Sequence, residues 1–212
     1  MKSGSRTGRA GSARRDFAVD RANAYTTFMS GVDASWQEKL RYLLLNSDFH
    51  CVAAYRFGQY AKDLRSRHPL AGTVAVVGHR LWNRWITHVD HAVINRDARI
   101  GPGMLLTHRH GTMIGEGVIG KNCVIHHNVT IGQRGAGGDR GCPRIGDNVW
   151  IGPGAVISGA ITIGDGVTIS AGTGLSKDVP AGCLVSGNPG RVVARHYDNS
   201  RMSSFLAPPT EA

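Results

Sequence analysis

Between residues 145 and 180 an aliphatic side chain returns at every sixth position: Ile145, Ile151, Ile157, Ile163, Ile169 and Leu175. That period fits neither a helix nor an alternating strand. It predicts a hexapeptide β-helix, in which each repeat is a short strand plus a turn and the stacked coils bury one column of aliphatic side chains. The next position is small each time (Gly146, Gly152, Ser158, Gly164, Ser170, Ser176), as a corner requires, and the fourth after each aliphatic (Val149, Ala155, Ile161, Val167, Thr173, Val179) is small or branched, as a narrow core requires. The spacing recurs upstream at Ile119, Ile125, Ile131 and at Ile94, Ile100, Leu106, but out of phase. Leu106 to Ile119 is thirteen positions, one more than two repeats, and Ile131 to Ile145 is fourteen, two more. Stacked coils share a register, so the extra residues are expected to leave as loops at 108–113 and 133–143, and loops on a rigid scaffold are where binding groups sit.

Before the coils the pattern is helical. Within 33–64, Trp36, Leu40, Leu43 and Leu44 share one face and Phe49, Val52, Ala53, Phe57 and Tyr60 another, with Asp48 as N-cap of the second helix. Pro69 opens a third helical run to Val89, with Leu81, Trp82 and Trp85 as packing residues. The predicted organisation is a basic, disordered tail (1–30), a helical layer (31–92), a parallel β-helix (93–181) and a C-terminal exit and tail (182–212). The turn Gly187-Asn188-Pro189-Gly190-Arg191 is read as unable to continue a repeat. The fold class is mainly β.

Composition adds limits. With 212 residues, 41% apolar and 19% charged, the chain is globular, and the six-residue period explains its high count of 29 glycines better than disorder does. Cys51, Cys123, Cys142 and Cys183 lie far apart without a CxxC pair, which fits no disulfide framework and points to a reducing cytoplasm. No apolar run reaches the length of a membrane span, and 1–15 lacks the apolar core of a secretory signal. The net charge is +10, and five of the 25 Lys and Arg residues (Lys2, Arg6, Arg9, Arg14, Arg15) fall in that tail, yet no nucleic-acid recognition motif accompanies them. A polyanionic small molecule explains scattered basic residues equally well.

The chemistry-bearing residues are histidines. His108 and His110 lie in the first slip and His126 and His127 about one coil later, so His108 and His127 stack at the spacing of neighbouring strands, about 5 Å. Such a pair reads either as a metal site or as a general base with a neighbour. For His126 the plainer reading is an ordinary coil residue.

Several stretches together resemble the serine acetyltransferases of the left-handed β-helix acyltransferase superfamily. They are Gly101-Pro102-Gly103-Met104-Leu105-Leu106-Thr107-His108, Gly115-Glu116, the 135–140 loop, the run 145–156, Lys177-Asp178-Val179-Pro180 and the Gly187 to Arg191 turn. Phe49-His50 and Ala54-Tyr55-Arg56 resemble that family's helical motif, and Asp33 its substrate-binding aspartate. The resemblance spans 33–195. It implies a left-handed β-helix and acetyl transfer from acetyl-CoA, the co-substrate, to a small hydroxyl. His108 is then the general base, Asp33, Thr107, His127, Gly141 and Cys142 fall at acceptor positions, and no metal is required. It places CoA along the turns of Gly154, Ala155, Ala171 and Gly172, with Lys177 and Arg191 near the phosphates, and backbone N–H groups of the turns at the oxyanion. It also implies trimers with sites between subunits, in some members paired through their helices, and no nucleic-acid or membrane partner.

The chain departs from the pattern at four places. Acids are expected before the histidine and opposite it, where Thr107 and Val93 stand, which leaves Asp90, Asp97 or Glu116 to orient His108. An Arg-His pair that holds the acceptor carboxylate falls at Gly141 and Cys142. Restoring it by Gly141→Arg with Cys142→His is expected to favour serine, and Arg109 or Arg140 is the alternative carboxylate partner. The 134–143 loop also resembles acetyltransferases of exopolysaccharide sugars, so a sugar or specialised-metabolite hydroxyl is the second acceptor reading. A zinc lyase and a non-catalytic scaffold are the competing classes. Cys142 is read as shaping the acceptor site, since a thiol of ordinary pKa is a poor nucleophile.

Overall fold

The computed structural model describes residues 9–28, 35–135 and 141–202. Four helices come first: α1 (Arg9–Phe28), α2 (Trp36–Leu45), α3 (Ser47–Arg67) and α4 (Pro69–Asp90). Coils of short strands follow: β1 (Val93–Ile94), β2 (Arg99–Ile100), β3 (Leu105–Leu106); β4 (Met113–Ile114), β5 (Val118–Ile119), β6 (Val124–Ile125); β7 (Thr130–Gly132), β8 (Arg144–Ile145), β9 (Trp150–Ile151); β10 (Val156–Ser158), β11 (Thr162–Ile163), β12 (Thr168–Ile169); then β13 (Gly174–Leu175) and β14 (Cys183–Ser186). The first strands of the coils pair in parallel as β1-β4-β7-β10-β13, the second as β2-β5-β8-β11 and the third as β3-β6-β9-β12-β14. Three flat faces meet at three corners, forming a left-handed β-helix.

The six-residue period becomes the core. Ile151, Ile157, Ile163 and Ile169 are wholly buried, with Ile145 and Leu175 nearly so. Each corner tightens the chain; Gly154 and Gly172 stack in the left-handed region at φ 71° and 67°, where a Cβ is disfavoured.

The slips resolve differently from a simple count. Leu106 to Ile114 spans eight positions and Ile114 to Ile119 five, so two residues are added after β3 and one is removed after β4. Ile131 and Ile145 lie on consecutive faces, one repeat apart rather than two, so the 133–143 loop extrudes eight residues. The β-helix also continues past 181. Val185 is wholly buried and β14 pairs in parallel with β12, because Val185 again presents an aliphatic to the column. The Gly187 to Gly190 turn, with a cis Asn188-Pro189 bond, then reverses the chain into β15 (Arg191–Arg195), antiparallel to β14.

The helical layer also differs from expectation. Residues 9–28, read as part of a disordered tail, form α1, which packs on α3 both through Phe17 against Phe49 and through a buried polar cluster. Asp20, fully buried, accepts from Arg56 at 2.7 and 3.2 Å and from the N–H groups of Gly103 and Met104 at 2.7 and 3.0 Å. Arg56 also donates to the carbonyls of Ile100 and Gly101 at 2.7 and 2.6 Å. Tyr55 Oη donates to the Ala98 carbonyl at 2.8 Å and accepts from the Ile100 N–H at 3.3 Å. Burial pushes the Asp20 carboxyl up from its ordinary value, opposed by Arg56 and the two N–H groups.

Asn46, rather than Asp48, caps α3, its side chain accepting from the Phe49 N–H at 2.9 Å. Of the expected packing residues on α4, Trp82 lies against Phe57 and His50, whereas Leu81 and Trp85 are exposed at 65% and 55%. They continue a stripe of Leu70, Val74, Val77 and Val89 along one side of α4, and Trp36, Leu40 and Leu44 of α2 are exposed as well. Their helical period is real, but among the described residues their face stays exposed. Among the described residues no helix is long and apolar enough to cross a membrane.

Candidate active site

His108 stands where the chain leaves β3 for β4. Leu106 pairs with Ile125, which sets His108 beside His127 one coil away. Their ring centroids are 6.0 Å apart at 72°, edge to face. His108 is exposed and takes a left-handed backbone at φ 54°, which throws its side chain off the corner; His127 is half-buried, and its Nδ1 is buried without a hydrogen-bond partner. Thr107 is half-buried beside them. His126 turns onto the third face and stacks on Trp150 at 4.8 Å. Burial, then the nearby His127 and His108, lower its pKa and favour a neutral packing residue.

The helices hold this corner from behind. Asp48, in the first turn of α3, accepts from the N–H groups of His108 and Arg109, each at 3.1 Å, and from Arg109 Nη1 at 3.2 Å. Arg109 Nη2 reaches the buried Asp90 at the end of α4. Burial disfavours the Arg109 charge, but the bonds to Asp90 and Asp48 outweigh it and raise the guanidinium pKa. Arg109 is therefore committed to two carboxyl groups and is not free for an acceptor. Of the acids considered for orienting His108, Asp90 is held by Arg109 and Asp97 by Lys62 at 2.8 Å, while Glu116 is exposed at the following turn.

The same corner continues down the stack. Following the strand register, the column below His127 runs through Pro153 and Ala171 to the Gly187 turn, whose carbonyl accepts from the Gly174 N–H at 3.1 Å. Gly154, Ala171 and Gly172 are exposed, and Gly172 has open space where a Cβ would stand. Arg191 is exposed at the foot of this column. Ala155 does not belong to the surface. Its side chain is wholly buried because it is the fourth-position core residue of its repeat, and its N–H is engaged by the Gly152 carbonyl at 3.3 Å. The N–H groups of Gly154 and Gly172 donate to the carbonyls of His127 and Pro153 at 3.0 and 2.8 Å, so those turn amides are spent on coil stacking.

Lys177, Gly141 and Cys142 sit elsewhere. They occupy the corner between the first and second faces, at the opposite edge of the first face from His108. There Lys177, Arg134, Ser176, Asp178 and the Gly159-Ala160-Ile161 turn line a cavity of about 640 Å³. Arg134 Nη2 donates to the Ser176 carbonyl at 2.8 Å. Gly141 lies flush on Ala160, and an added Cβ would stand 2.1 Å from the Ala160 Cβ. Arginine therefore cannot simply be restored at 141, contrary to the expectation from the resemblance. Asp33 and Arg140 lie outside the described residues. No group of three or more His, Cys, Asp and Glu able to hold a metal ion occurs among the described residues, and none of the four cysteines is disulfide-bonded.

The most consequential residue that sequence reasoning misread is Asp48. Its capping pattern was visible, but its partners lie 60 and 61 positions away, and only the fold brings them together.

The family model for bacterial transferase hexapeptide (six repeats) matches residues 142–177. The chain is 40% identical over 114 residues to the serine acetyltransferase of Synechococcus elongatus, covering 53% of this chain and 46% of that protein. It is 30% identical over 164 residues to the serine acetyltransferase of Helicobacter pylori, covering 77% and 91%. The solved serine acetyltransferase of Brucella abortus in complex with coenzyme A superimposes with a TM-score of 0.68 at 27% identity, over 86% of this chain and 68% of that one. The chain thus spans about half the length of the first of these relatives and nearly all of the second.

Proposed function

Because this chain belongs to the serine acetyltransferase family of hexapeptide-repeat transferases, we propose that it moves an acetyl group from acetyl-CoA to a small hydroxyl by direct attack, with His108 as general base. The observation that carries this reading is the column headed by His108. From His108 to the Gly187 turn there are four coil steps of about 4.8 Å, or about 19 Å, with small exposed residues Gly154, Ala171 and Gly172 along it and Arg191 at its foot. An extended pantetheine arm fits such a strip, with its thioester at the histidine and its phosphates at the basic end. The His108 imidazole takes the hydroxyl proton while the oxygen attacks the thioester carbon. A tetrahedral oxyanion forms, the C–S bond breaks, and the thiolate leaves with the proton that His108 returns.

The division of residues between two edges of one face supports a homotrimer. The His108 edge of one subunit then faces the Lys177, Arg134 and Cys142 edge of the next, and the site is complete only across that boundary. The exposed stripe on α4, with Trp36 and Leu40 of α2, supports pairing of trimers through their helices. The buried thiols Cys51, Cys123 and Cys183 fit a reducing, cytoplasmic setting.

Serine is the acceptor the family membership favours. A hydroxyl without a free carboxylate, such as that of a sugar, is the second reading. Arg109, held by Asp48 and Asp90, and Gly141, closed against Ala160, support it. Thiol release from acetyl-CoA, followed with serine, homoserine and simple sugars, tests the proposal. Acceptor-dependent release is expected. Its absence with every acceptor, from correctly assembled protein, would overturn it.

A further inference from the structure

We propose that Asp48 is the positioning residue of His108, acting through the backbone and braced by Arg109 and Asp90. The inference rests on the reading of His108 as general base. The 107–112 segment carries two more residues than a regular repeat, so the coil register alone does not determine where His108 points. His108 also holds a left-handed backbone at φ 54°, a region uncommon for a residue with a Cβ.

The Asp48 contact is specific. One carboxyl oxygen of Asp48 takes the His108 N–H and the other takes the Arg109 N–H, both at 3.1 Å. The Arg109 guanidinium then ties Asp48, at the start of α3, to Asp90, at the end of α4. Two further bonds close the segment: Gly111 N–H to the Asp90 carbonyl at 3.4 Å and Thr112 N–H to the Arg109 carbonyl at 3.2 Å. Val93 and Thr107, where the resemblance expects acids, offer no carboxylate to the imidazole. In this chain the orientation enters through the main chain instead of through the ring.

The test uses the full chain with Asp48→Ala and Asp48→Asn. Hydrogen exchange of the His108 and Arg109 amides reads the clamp directly, and loss of both acceptor oxygens should speed it about tenfold or more. Turnover should fall by about 10²-fold, the order that a displaced catalytic group produces, with acetyl-CoA affinity unchanged by calorimetry. Asn keeps one carbonyl oxygen for these amides and should recover part of both effects. Unchanged exchange at 108 and 109, or native turnover in Asp48→Ala, overturns the proposal. So does an equal loss in Asn and Ala that tracks a lowered unfolding midpoint, since that is the mark of a purely structural residue. If the wild type itself releases no thiol, the general-base reading fails separately, and the exchange measurement alone decides on the clamp.

Discussion

Replacing Arg56 with alanine should unlatch α1 and α3 from the first coil. The Arg56 side chain is 4% exposed and the Asp20 side chain fully buried. The substitution removes both guanidinium bonds to Asp20 and leaves the carbonyls of Ile100 and Gly101 without those donors. Breaking a buried ion pair from one side costs about 3–5 kcal/mol, because the remaining charge stays buried without its partner. Asp20 keeps the Gly103 and Met104 N–H groups, which places the expected loss near the lower end, about 3 kcal/mol. For a chain of this size that corresponds to a fall in Tm of about 6–12 °C. The assay is thermal unfolding followed by circular dichroism at fixed protein concentration, because the proposed assembly would make Tm concentration-dependent. The double variant Asp20→Asn with Arg56→Met leaves no fully buried charge, only the part-exposed Asp16 without its partner, and should be more stable than Arg56→Ala alone. A loss below about 1 kcal/mol, typical of an exposed pair, would show that α1 does not dock where the structure puts it.

Three further outcomes follow from the proposed site. Ala171→Trp fills the exposed strip below His127 and should weaken acetyl-CoA binding by about tenfold or more, or about 1.4 kcal/mol; unchanged affinity by calorimetry in an assembled trimer would remove the strip as the cofactor path. Serine should be acetylated with a high KM and less efficiently than an acceptor lacking a carboxylate, because an unpaired carboxylate is costly to desolvate; a KM for serine below about 1 mM would mean that another cation reaches it. Leu81→Glu with Trp85→Glu should abolish pairing of trimers while leaving the trimer intact, read by sedimentation velocity; an unchanged sedimentation coefficient of paired trimers would mean that the stripe on α4 is not their contact.

The β-helix was legible because its core demands one aliphatic per face, and Ile145, Ile151, Ile157, Ile163 and Ile169 satisfy that demand without interruption. Spacing alone, however, cannot say how many faces lie between two aliphatics. The fourteen positions from Ile131 to Ile145 read as two repeats plus two, whereas they are one repeat plus eight. Helix α1 carries only a thin apolar stripe, Ala13, Phe17 and Ala24, interrupted by buried polar anchors: Asp20 to Arg56, and Asn23 to the Gly103 carbonyl at 3.1 Å. On α4 the apolar period was visible, but a period does not reveal whether its partner lies within the chain. At the site, the stacking of His108 and His127 followed from register. The commitment of Arg109 depends on α3 and α4 meeting one corner, which no local pattern encodes.

In the proposed direct transfer, His108 accepts the hydroxyl proton. The most direct measurement of that role is the steady-state turnover of His108→Ala beside His127→Ala, with acetyl-CoA affinity and assembly confirmed for both. His108→Ala should lose about 10² to 10⁴ in turnover while binding acetyl-CoA as the wild type does. Near-native turnover in His108→Ala together with an inactive His127→Ala would contradict this assignment and transfer the role to the neighbouring histidine.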